Sequence, residues 1–291
     1  TDEPTSNLLF KDLEIHDIYA TVEVESEGAN PTTNEGRGIR LNSAYWKDSV
    51  LLSEVTIQSN RIERTGWSGI HMTSSWNDDE LVKMSDIQIL DNHLEDIGGP
   101  GIVPSKVENL LVRGNLVDKP GSRLDPRMHG RGSGIWPLKS DNVVIEKNRF
   151  MHARGKEDSC GAHIDIGNTG VIVQYNLSLD NEGGFVEILG GNSNSAYRYN
   201  VSINDGERVK DQAADLGHGR LVYLSSYSGS TAENSGLGNS NIYIYNNTMY
   251  VKEEIQTAFG STEMVDGLLI ANNVFHVLGE TIDVHTAWND K

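Results

Sequence analysis

Two acidic residues, Asp165 and Glu187, occur in consecutive strand-like segments of the sequence. If the two strands are neighbours, the carboxylates cannot both ionise freely, because like charges a few ångströms apart raise the pKa of one and leave the other ionised. Such a pair can supply an acid for a leaving oxygen and a carboxylate that acts as nucleophile or activates water, as glycoside hydrolysis requires. His163 could act as a general base. We therefore predict Asp165, Glu187 and His163 as catalytic residues.

The surroundings of the acidic pair follow from an alignment of the strand-like segments. In each segment the first and third apolar residues are predicted to point inward, so that the residue between them points outward. The outward column then reads Arg40, His71, Val103, Trp136, Asp165, Glu187 and Tyr223, and His163 shares the face of Asp165. Because aromatic rings pack against sugar rings, we predict that Trp136, Tyr223 and His71 bind a sugar chain.

The alignment leaves two registers open for the acidic strands. If the apolar residues are matched, Asp165 and Glu187 are directly opposed at ~4.8 Å between backbones. If residues are counted back from the repeated asparagines, the two acids are offset by two residues, and their backbones are roughly 8 Å apart. The first separation favours a retaining glycosidase and the second an inverting one.

An asparagine recurs three residues after an apolar residue along almost the whole chain. These asparagines are Asn60, Asn92, Asn115, Asn148, Asn176, Asn200, Asn247 and Asn273, and their shortest spacings are 23 and 24 residues. A repeat of this size, made of short strands, indicates the coil of a parallel β-helix. Stacked coils bury one core, and asparagines in left-handed turn conformations can form an amide ladder. We predict an all-β, single-domain right-handed parallel β-helix over residues 1–291, with roughly ten coils and with terminal caps that are atypical or missing.

Three inserts occupy the same place in their coils, after the asparagine turn and before the next outward-column strand. They are residues 118–133, 151–161 and 204–219. Inserts at equivalent places project from one face, so we expect all three on one rim beside the column. They and the adjoining strands contribute His129, Arg131, Arg154 and Arg220 as further predicted substrate-binding residues. Arginine offers paired donors to a carboxylate or sulfate, which suggests a uronic or sulfated substrate.

The composition limits the classes of partner. The chain has 24 Lys+Arg against 42 Asp+Glu, for a net charge of −18, which argues against binding to nucleic acid or an anionic membrane surface. No apolar run reaches the length of a membrane span. The chain begins at Thr1 without a signal-like segment, as expected for a processed or trimmed protein that is secreted or periplasmic. The single cysteine, Cys160, is predicted to be a small buried residue.

The pattern of repeated coils resembles the pectate-lyase-like superfamily of right-handed parallel β-helix proteins that act on polysaccharides. The resemblance covers nearly the whole chain and implies a fold rather than an activity. The sequence lacks the Asn-Thr-Asp, Asp-Asp, His-Gly and Arg-Ile-Lys set of polygalacturonases and the Tyr-Gly-x-Asp-Pro-His signature of mannuronan epimerases. It also lacks the calcium-binding aspartates with a following Arg-x-x-Pro of pectate lyases. No family's catalytic residues are carried over.

Three functions are compatible with these residues. The leading prediction is an extracellular glycoside hydrolase that degrades a polysaccharide or oligosaccharide and needs no cofactor. The second is a polysaccharide lyase, in which His163 or a loop lysine or arginine takes the proton next to a uronate carboxylate. In that case Asp165, Glu187, Asp158 and Asp205 could hold Ca²⁺. The third is a noncatalytic adhesin or carbohydrate-binding β-helix. Substrate, linkage and exo or endo action are not encoded in these patterns.

Overall fold

A computed structural model of the protein describes residues 4–21, 23, 36–43, 52–74, 83–155, 159–207, 220–229, 236–261 and 265–282. Within these ranges the backbone forms strands and turns and no helix, so none of them contains a helix able to cross a membrane. In chain order the strands are β1 (Leu8–Lys11), β2 (Glu14–Ile18), β3 (Ile39–Asn42), β4 (Ser53–Gln58), β5 (Arg61–Thr65), β6 (Ile70–Thr73), β7 (Met84–Leu90), β8 (His93–Ile97), β9 (Ile102–Ser105), β10 (Val107–Arg113), β11 (Leu116–Asp118), β12 (Asp141–Glu146), β13 (Arg149–Met151), β14 (Thr169–Gln174), β15 (Leu177–Leu179), β16 (Val186–Ile188), β17 (Ser193–Arg198), β18 (Val201–Ile203), β19 (Arg220–Leu224), β20 (Asn239–Tyr245), β21 (Thr248–Val251), β22 (Thr257–Ser261), β23 (Val265–Ala271), β24 (Val274–Val277) and β25 (Thr281–Ile282).

The strands form three faces. The first face is a nine-stranded sheet in the order β1-β4-β7-β10-β12-β14-β17-β20-β23, and the second is a nine-stranded sheet in the order β2-β5-β8-β11-β13-β15-β18-β21-β24. The third face consists of β3-β6-β9 and β16-β19-β22-β25, and isolated parallel bridges at Ile135, Ala162 and Ile164 continue it between the two sheets. The predicted right-handed parallel β-helix is confirmed.

The core is built from equivalent positions of successive coils. On the first face, Val55 pairs with Ile87, Ile87 with Leu110, Leu110 with Val143, and Val143 with Val171. All five are at most 2% exposed. Each such side chain contributes about 1.5–3 kcal/mol through its burial, and no single coil could bury it alone.

The asparagines form the predicted ladder. Asn148, for example, donates its backbone N–H and its side-chain amide to Oδ1 of Asn176 at 2.9 and 3.0 Å, and its own Oδ1 accepts the same pair of bonds from Asn115. The expectation that the asparagines themselves are left-handed is wrong. The preceding residues take that conformation, with φ of 56° at both Lys147 and Tyr175, which turns the asparagine side chain inward beneath the next coil.

Two further ladders were not predicted. Asn168 donates its backbone N–H and its amide to Oδ1 of Asn192 at 2.7 and 3.0 Å, at the turn from the third face to the first. Asn192 in turn donates its N–H to Asn239. Asn181 donates to Oδ1 of Asp205 at the turn from the second face to the third. Every corner of the coil therefore carries buried amide or carboxylate groups that set the stacking.

The three inserts start on one rim, as predicted. They follow β11, β13 and β18, which are all strands of the second face, and they precede the third face. Residues 118–133 are described in full. Residues 156–158 of the second insert and 208–219 of the third lie outside the described residues, and the proposed calcium ligand Asp158 is among them.

Candidate functional site

The third face of the β-helix carries the candidate site. Glu187 of β16 is directly opposite Tyr223 of β19. On the other side, the bridges Ile135↔Ala162 and Ile164↔Ile188 place Trp136 beside His163 and His163 beside Glu187. The outward column at the centre of this face is therefore Trp136, His163, Glu187 and Tyr223.

This column corrects the predicted one at a single position. His163, rather than Asp165, lies between Trp136 and Glu187. The acids are not directly opposed, so the register that matches the apolar residues does not form. The alternative register, with an offset of two residues, is the one that forms.

The corner asparagines explain the register. Asn168 donates its side-chain amide to the carbonyl of Asp165 at 2.8 Å, and Asn192 donates to the carbonyl of Leu189 at 2.7 Å. Each of these bonds joins an asparagine to the carbonyl three residues earlier in the chain. Asn168 and Asn192 are also hydrogen-bonded to each other, so they occupy equivalent positions in adjacent coils. Asp165 is therefore level with Leu189.

Asp165 lies two residues beyond His163 on the outward face, because the intervening Ile164 is fully buried in the core. Its Oδ1 accepts the N–H of Ile166 at 2.8 Å. The side chain is half-buried. It stands diagonal to Glu187, and diagonal neighbours in a sheet are ~7–8 Å apart.

His163 lies on the predicted face but is not exposed, since its side chain is 1% accessible. The Trp136 ring covers it with 5.3 Å between ring centroids. Its Nδ1 lies 3.1 Å from Oγ of Ser133 and 3.5 Å from Oε2 of Glu187. Hence His163 contacts the acid directly, and solvent does not reach it freely.

Glu187 receives a second contact that the sequence did not predict. The thiol of Cys160 lies 3.2 Å from Oε2 of Glu187, and the N–H of Cys160 donates to Oγ of Ser133 at 3.0 Å. Cys160 is buried, as predicted, but its contact with Glu187 and the part played by Ser133 are new. The one feature of the sequence that could have indicated Cys160 and Ser133 is their position, because each lies just before a segment of the third face. The Glu187 side chain keeps 12% exposure, so part of it remains accessible on the third face.

Tyr223 and Arg220 close the other side of the column. The Arg220 guanidinium carbon lies 4.4 Å from the centroid of the Tyr223 ring. Burial raises the pKa of the Tyr223 phenol, so the hydroxyl is neutral at ordinary pH and can donate a hydrogen bond. Among the predicted binding residues, Trp136, Tyr223 and Arg220 are the ones that the structure brings next to His163 and Glu187.

His71 belongs to the same column but lies far from the acids. It pairs with Val103, which is level with Trp136, so four strand steps separate it from Glu187, or roughly 19 Å at ~4.8 Å each. Burial, and then the charges of Arg37 and Arg40, lower the pKa of His71 to about 3. His71 is therefore a neutral side chain at the distant end of the column.

The insert after β11 turns back toward the first coils, which removes His129 from the acids. His129 donates its N–H to the carbonyl of Gly66 at 2.9 Å, and its ring lies 4.4 Å from that of Trp67. Burial, and then Arg131, lower the pKa of His129 to about 4. Arg131 pairs through its backbone with Gly155 of the second insert. His129 therefore lies toward the first coils, and Arg131 lies where the first insert meets the second.

Arg154 is held at the rim by acids. It lies 3.0 Å from Asp180 and 3.4 Å from Glu182. It lines a cavity of about 530 Å³ together with Asp96, Lys119, Gly121, Ser122, Arg123, Leu124, His152, Gly155 and Glu182. Because Lys119 and His152 also contact acids, the charges around this cavity largely neutralise one another.

Asp205, one of the predicted calcium ligands, lies at the corner between the second and third faces. Asp205 is 1% exposed and serves as a rung next to Asn181, with its Oδ2 accepting from Oγ of Ser202 at 2.6 Å. Burial raises the pKa of Asp205 to about 6. Within the described residues, the group that could hold a metal is Cys160, His163 and Glu187.

The column has the composition of a carbohydrate site. Trp136 and Tyr223 supply ring surfaces, Glu187 and Asp165 supply two carboxylates at a diagonal, and Arg220 supplies a cation. Acid–base chemistry at a sugar needs two such groups in one groove.

Comparison with known proteins agrees with the fold. No protein-family model matches the sequence, and no curated protein matches it. Among solved structures, a GH136 lacto-N-biosidase from Eubacterium ramulus matches with a TM-score of 0.66 and 25% identity over 94% of this chain and 44% of that one. An alginate lyase from Paenibacillus sp. str. FPU-7 matches with a TM-score of 0.52 and 12% identity, over 92% of this chain and 97% of that one. A DFA-IIIase from Arthrobacter chlorophenolicus A6 matches with a TM-score of 0.54 and 12% identity, over 94% of this chain and 68% of that one.

These likenesses confirm the resemblance to right-handed β-helix proteins that act on polysaccharides. At 12% identity the lyase and the DFA-IIIase show the fold alone. The chain spans 44% and 50% of the two lacto-N-biosidase structures that it matches.

Proposed function

We propose that the chain forms a glycoside hydrolase site, in which Asp165 and Glu187 cleave a polysaccharide or oligosaccharide bound along the third face. The observation that carries this proposal is the placement of Glu187. Its side chain is partly exposed in the column between His163 and Tyr223, and Asp165 lies one diagonal step away. The 25% identity to a GH136 lacto-N-biosidase over 94% of the chain supports hydrolysis of a glycosidic bond.

Each neighbour of Glu187 has a part in this proposal. Cys160 and His163 hold Oε2 of Glu187, which limits the rotamers of the carboxylate and leaves Oε1 to meet the substrate. Trp136 and Tyr223 supply ring surfaces for the sugars on either side. The two carboxylates divide the work between a protonated acid and an ionised partner.

The diagonal between Asp165 and Glu187 corresponds to the wider of the two predicted separations. Inverting enzymes hold their carboxyl groups ~6.5–9.5 Å apart to admit a water molecule, whereas retaining enzymes need ~5–5.5 Å. The diagonal therefore favours inversion. Proton NMR of the first product reports its anomeric configuration, and a retained configuration would mean that one of these acids works with a different carboxylate.

A uronic or sulfated substrate has less support than a neutral one. Of the predicted binding arginines, Arg220 lies in the column, whereas Arg131 lies at the rim and Arg154 is held by Asp180 and Glu182. With a net charge of −18, the protein repels an anionic chain unless local cations compensate. We therefore expect neutral oligosaccharides to be the better substrates.

The test is an assay of neutral and uronate-containing polysaccharides and oligosaccharides with two readouts. A hydrolase releases reducing ends without an ultraviolet-absorbing product, a lyase releases an unsaturated sugar, and a binding module gives neither. The burial of His163 and its contact with Glu187 count against it as a lyase base. An unsaturated product that disappears in His163→Ala would overturn the hydrolase proposal, as would saturable sugar binding without any cleavage.

A further inference from the structure

Three potential metal ligands of different chemistry converge on the third face. Sγ of Cys160, one ring nitrogen of His163 and a carboxylate oxygen of Glu187 all lie within 4.8 Å of one another. Cys160 and His163 are each 1% exposed, whereas the Glu187 side chain is 12% exposed. We propose that these three side chains form a binding site for a zinc-type divalent transition metal ion.

The distances suit a tetrahedral ion. Ligands at ~2.3 Å for sulfur and ~2.0–2.2 Å for nitrogen and oxygen are separated from one another by roughly 3.3–3.6 Å in a tetrahedron. The observed separations from Oε2 of Glu187 are 3.2 Å to the thiol and 3.5 Å to the imidazole nitrogen. The third edge, between the thiol and the imidazole, closes within the 4.8 Å that bounds the group.

The donor set selects the ion. A thiolate and an imidazole prefer Zn²⁺, Co²⁺ and similar ions, whereas Ca²⁺ and Mg²⁺ require oxygen ligands. A thiolate and a carboxylate together balance the charge of a divalent ion, so that the buried site is neutral when filled. Three protein ligands leave a fourth position for water or another ligand.

Binding exchanges a proton for the metal. The Cys160 thiol loses its proton to solvent, the sulfur forms the metal–thiolate bond, and the thiol's hydrogen bond to Glu187 is replaced by a metal–carboxylate bond. No oxidation or reduction is involved. The contact of His163 with Ser133 is replaced by a metal–Nδ1 bond.

Occupancy has a consequence for the groove. An ion bound to the Glu187 carboxylate would prevent that carboxylate from acting on a sugar, so we expect the ion to block cleavage. This consequence rests on the proposed hydrolase function, whereas metal binding itself does not. The site would then be inhibitory, filled when zinc is abundant and cleared by a chelator.

The single cysteine makes the test specific. Because the chain contains one cysteine, a thiolate-to-cobalt charge-transfer band can arise only from Cys160. We expect Co²⁺ added to the metal-free folded protein to produce this band at one ion per chain, and excess Zn²⁺ to abolish it. Cys160→Ser should remove the band. Outer-shell changes typically weaken metal affinity ~10–100-fold, so loss of a direct ligand in His163→Asn or Glu187→Gln should weaken it more than about 100-fold.

The control is His276→Asn, which changes an exposed histidine of β24 and should leave the titration unchanged. Thermal unfolding of every variant establishes that it is folded before titration. Absence of the band in the unmodified protein would overturn the proposal. An unchanged affinity for Co²⁺ in both His163→Asn and Glu187→Gln would also overturn it, because Cys160 alone would then bind the ion adventitiously.

The two proposals fail in different ways. Full hydrolytic activity in Glu187→Gln together with weakened cobalt binding would reject the catalytic role and keep the metal site. Cobalt binding as expected without any inhibition by Zn²⁺ would reject the inhibitory consequence alone.

Discussion

Asp205 accepts two hydrogen bonds from Asn181, one from its backbone N–H at 2.9 Å and one from its side-chain amide at 2.8 Å. The rung is fully buried, and the pKa of this carboxyl rises to about 6 because of its burial. A carboxylate thus occupies a position at which the other ladders use amides.

We predict that Asp205→Asn stabilises the protein at neutral pH. The pKa of Asp205 rises from 3.8 to about 6 on folding, which corresponds to roughly 3 kcal/mol at ~1.36 kcal/mol per pKa unit. Since the folded state holds the proton more tightly, the contribution of Asp205 to stability is present below about pH 4 and is lost as pH rises through about 6. The free energy of unfolding of the variant should therefore be larger than that of the wild type at pH 7.5 and equal to it near pH 4.

Urea unfolding at the two pH values measures this difference. Asp266→Asn, at an exposed position of β23, is the matched control and should show little pH-dependent change. A variant that is less stable than the wild type at pH 7.5 would mean that the ladder requires the ionised carboxylate.

Asp165→Asn and Glu187→Gln should each reduce kcat by about 10²–10⁴-fold, because an amide keeps the shape but cannot transfer the proton. Binding of the oligosaccharide, measured by calorimetry, should persist in both. Glu254→Gln, at an exposed position outside the column, should have native kinetics. Near-native turnover in both amide variants would show that the two carboxylates are surface acids without a catalytic role.

Trp136→Ala should weaken substrate binding, because it removes the ring surface next to His163 and Glu187. Loss of a sugar-stacking ring should cost about 0.5–1.5 kcal/mol beyond its buried area, which raises KM at least several-fold. Tyr243→Ala removes a ring that is 38% exposed on the first face and serves as the comparison. Equal effects of the two changes on KM would place the sugar elsewhere.

Asn148→Ala should destabilise the helix by on the order of 1–3 kcal/mol, because it leaves the N–H and amide of Asn115 without their acceptor. Activity per folded molecule should be unchanged, since the rung lies at the corner between the first and second faces. Asn42→Ala, at an exposed position of β3, should change stability by less than ~0.5 kcal/mol. Full thermal stability combined with lost turnover would contradict a structural role.

The sequence alone determined the coil and the face that carries the candidate site. Burial in a solenoid depends on the alternation within each short strand and on its repetition, and both are local patterns. Ile57 and Ile89, or Asn148 and Asn176, can therefore be assigned their places without knowledge of distant contacts. The same alternation placed Trp136, Glu187 and Tyr223 in one outward column.

The tertiary structure decided which residue stands next to Glu187. A slip of two residues leaves every side chain on its own face, so the apolar pattern does not distinguish the two registers. The hydrogen bond between Asn168 and Asn192 distinguishes them, and it makes His163 the neighbour of Glu187. The contact with Cys160 also depends on the fold, because the two residues meet only when one coil is stacked on the next.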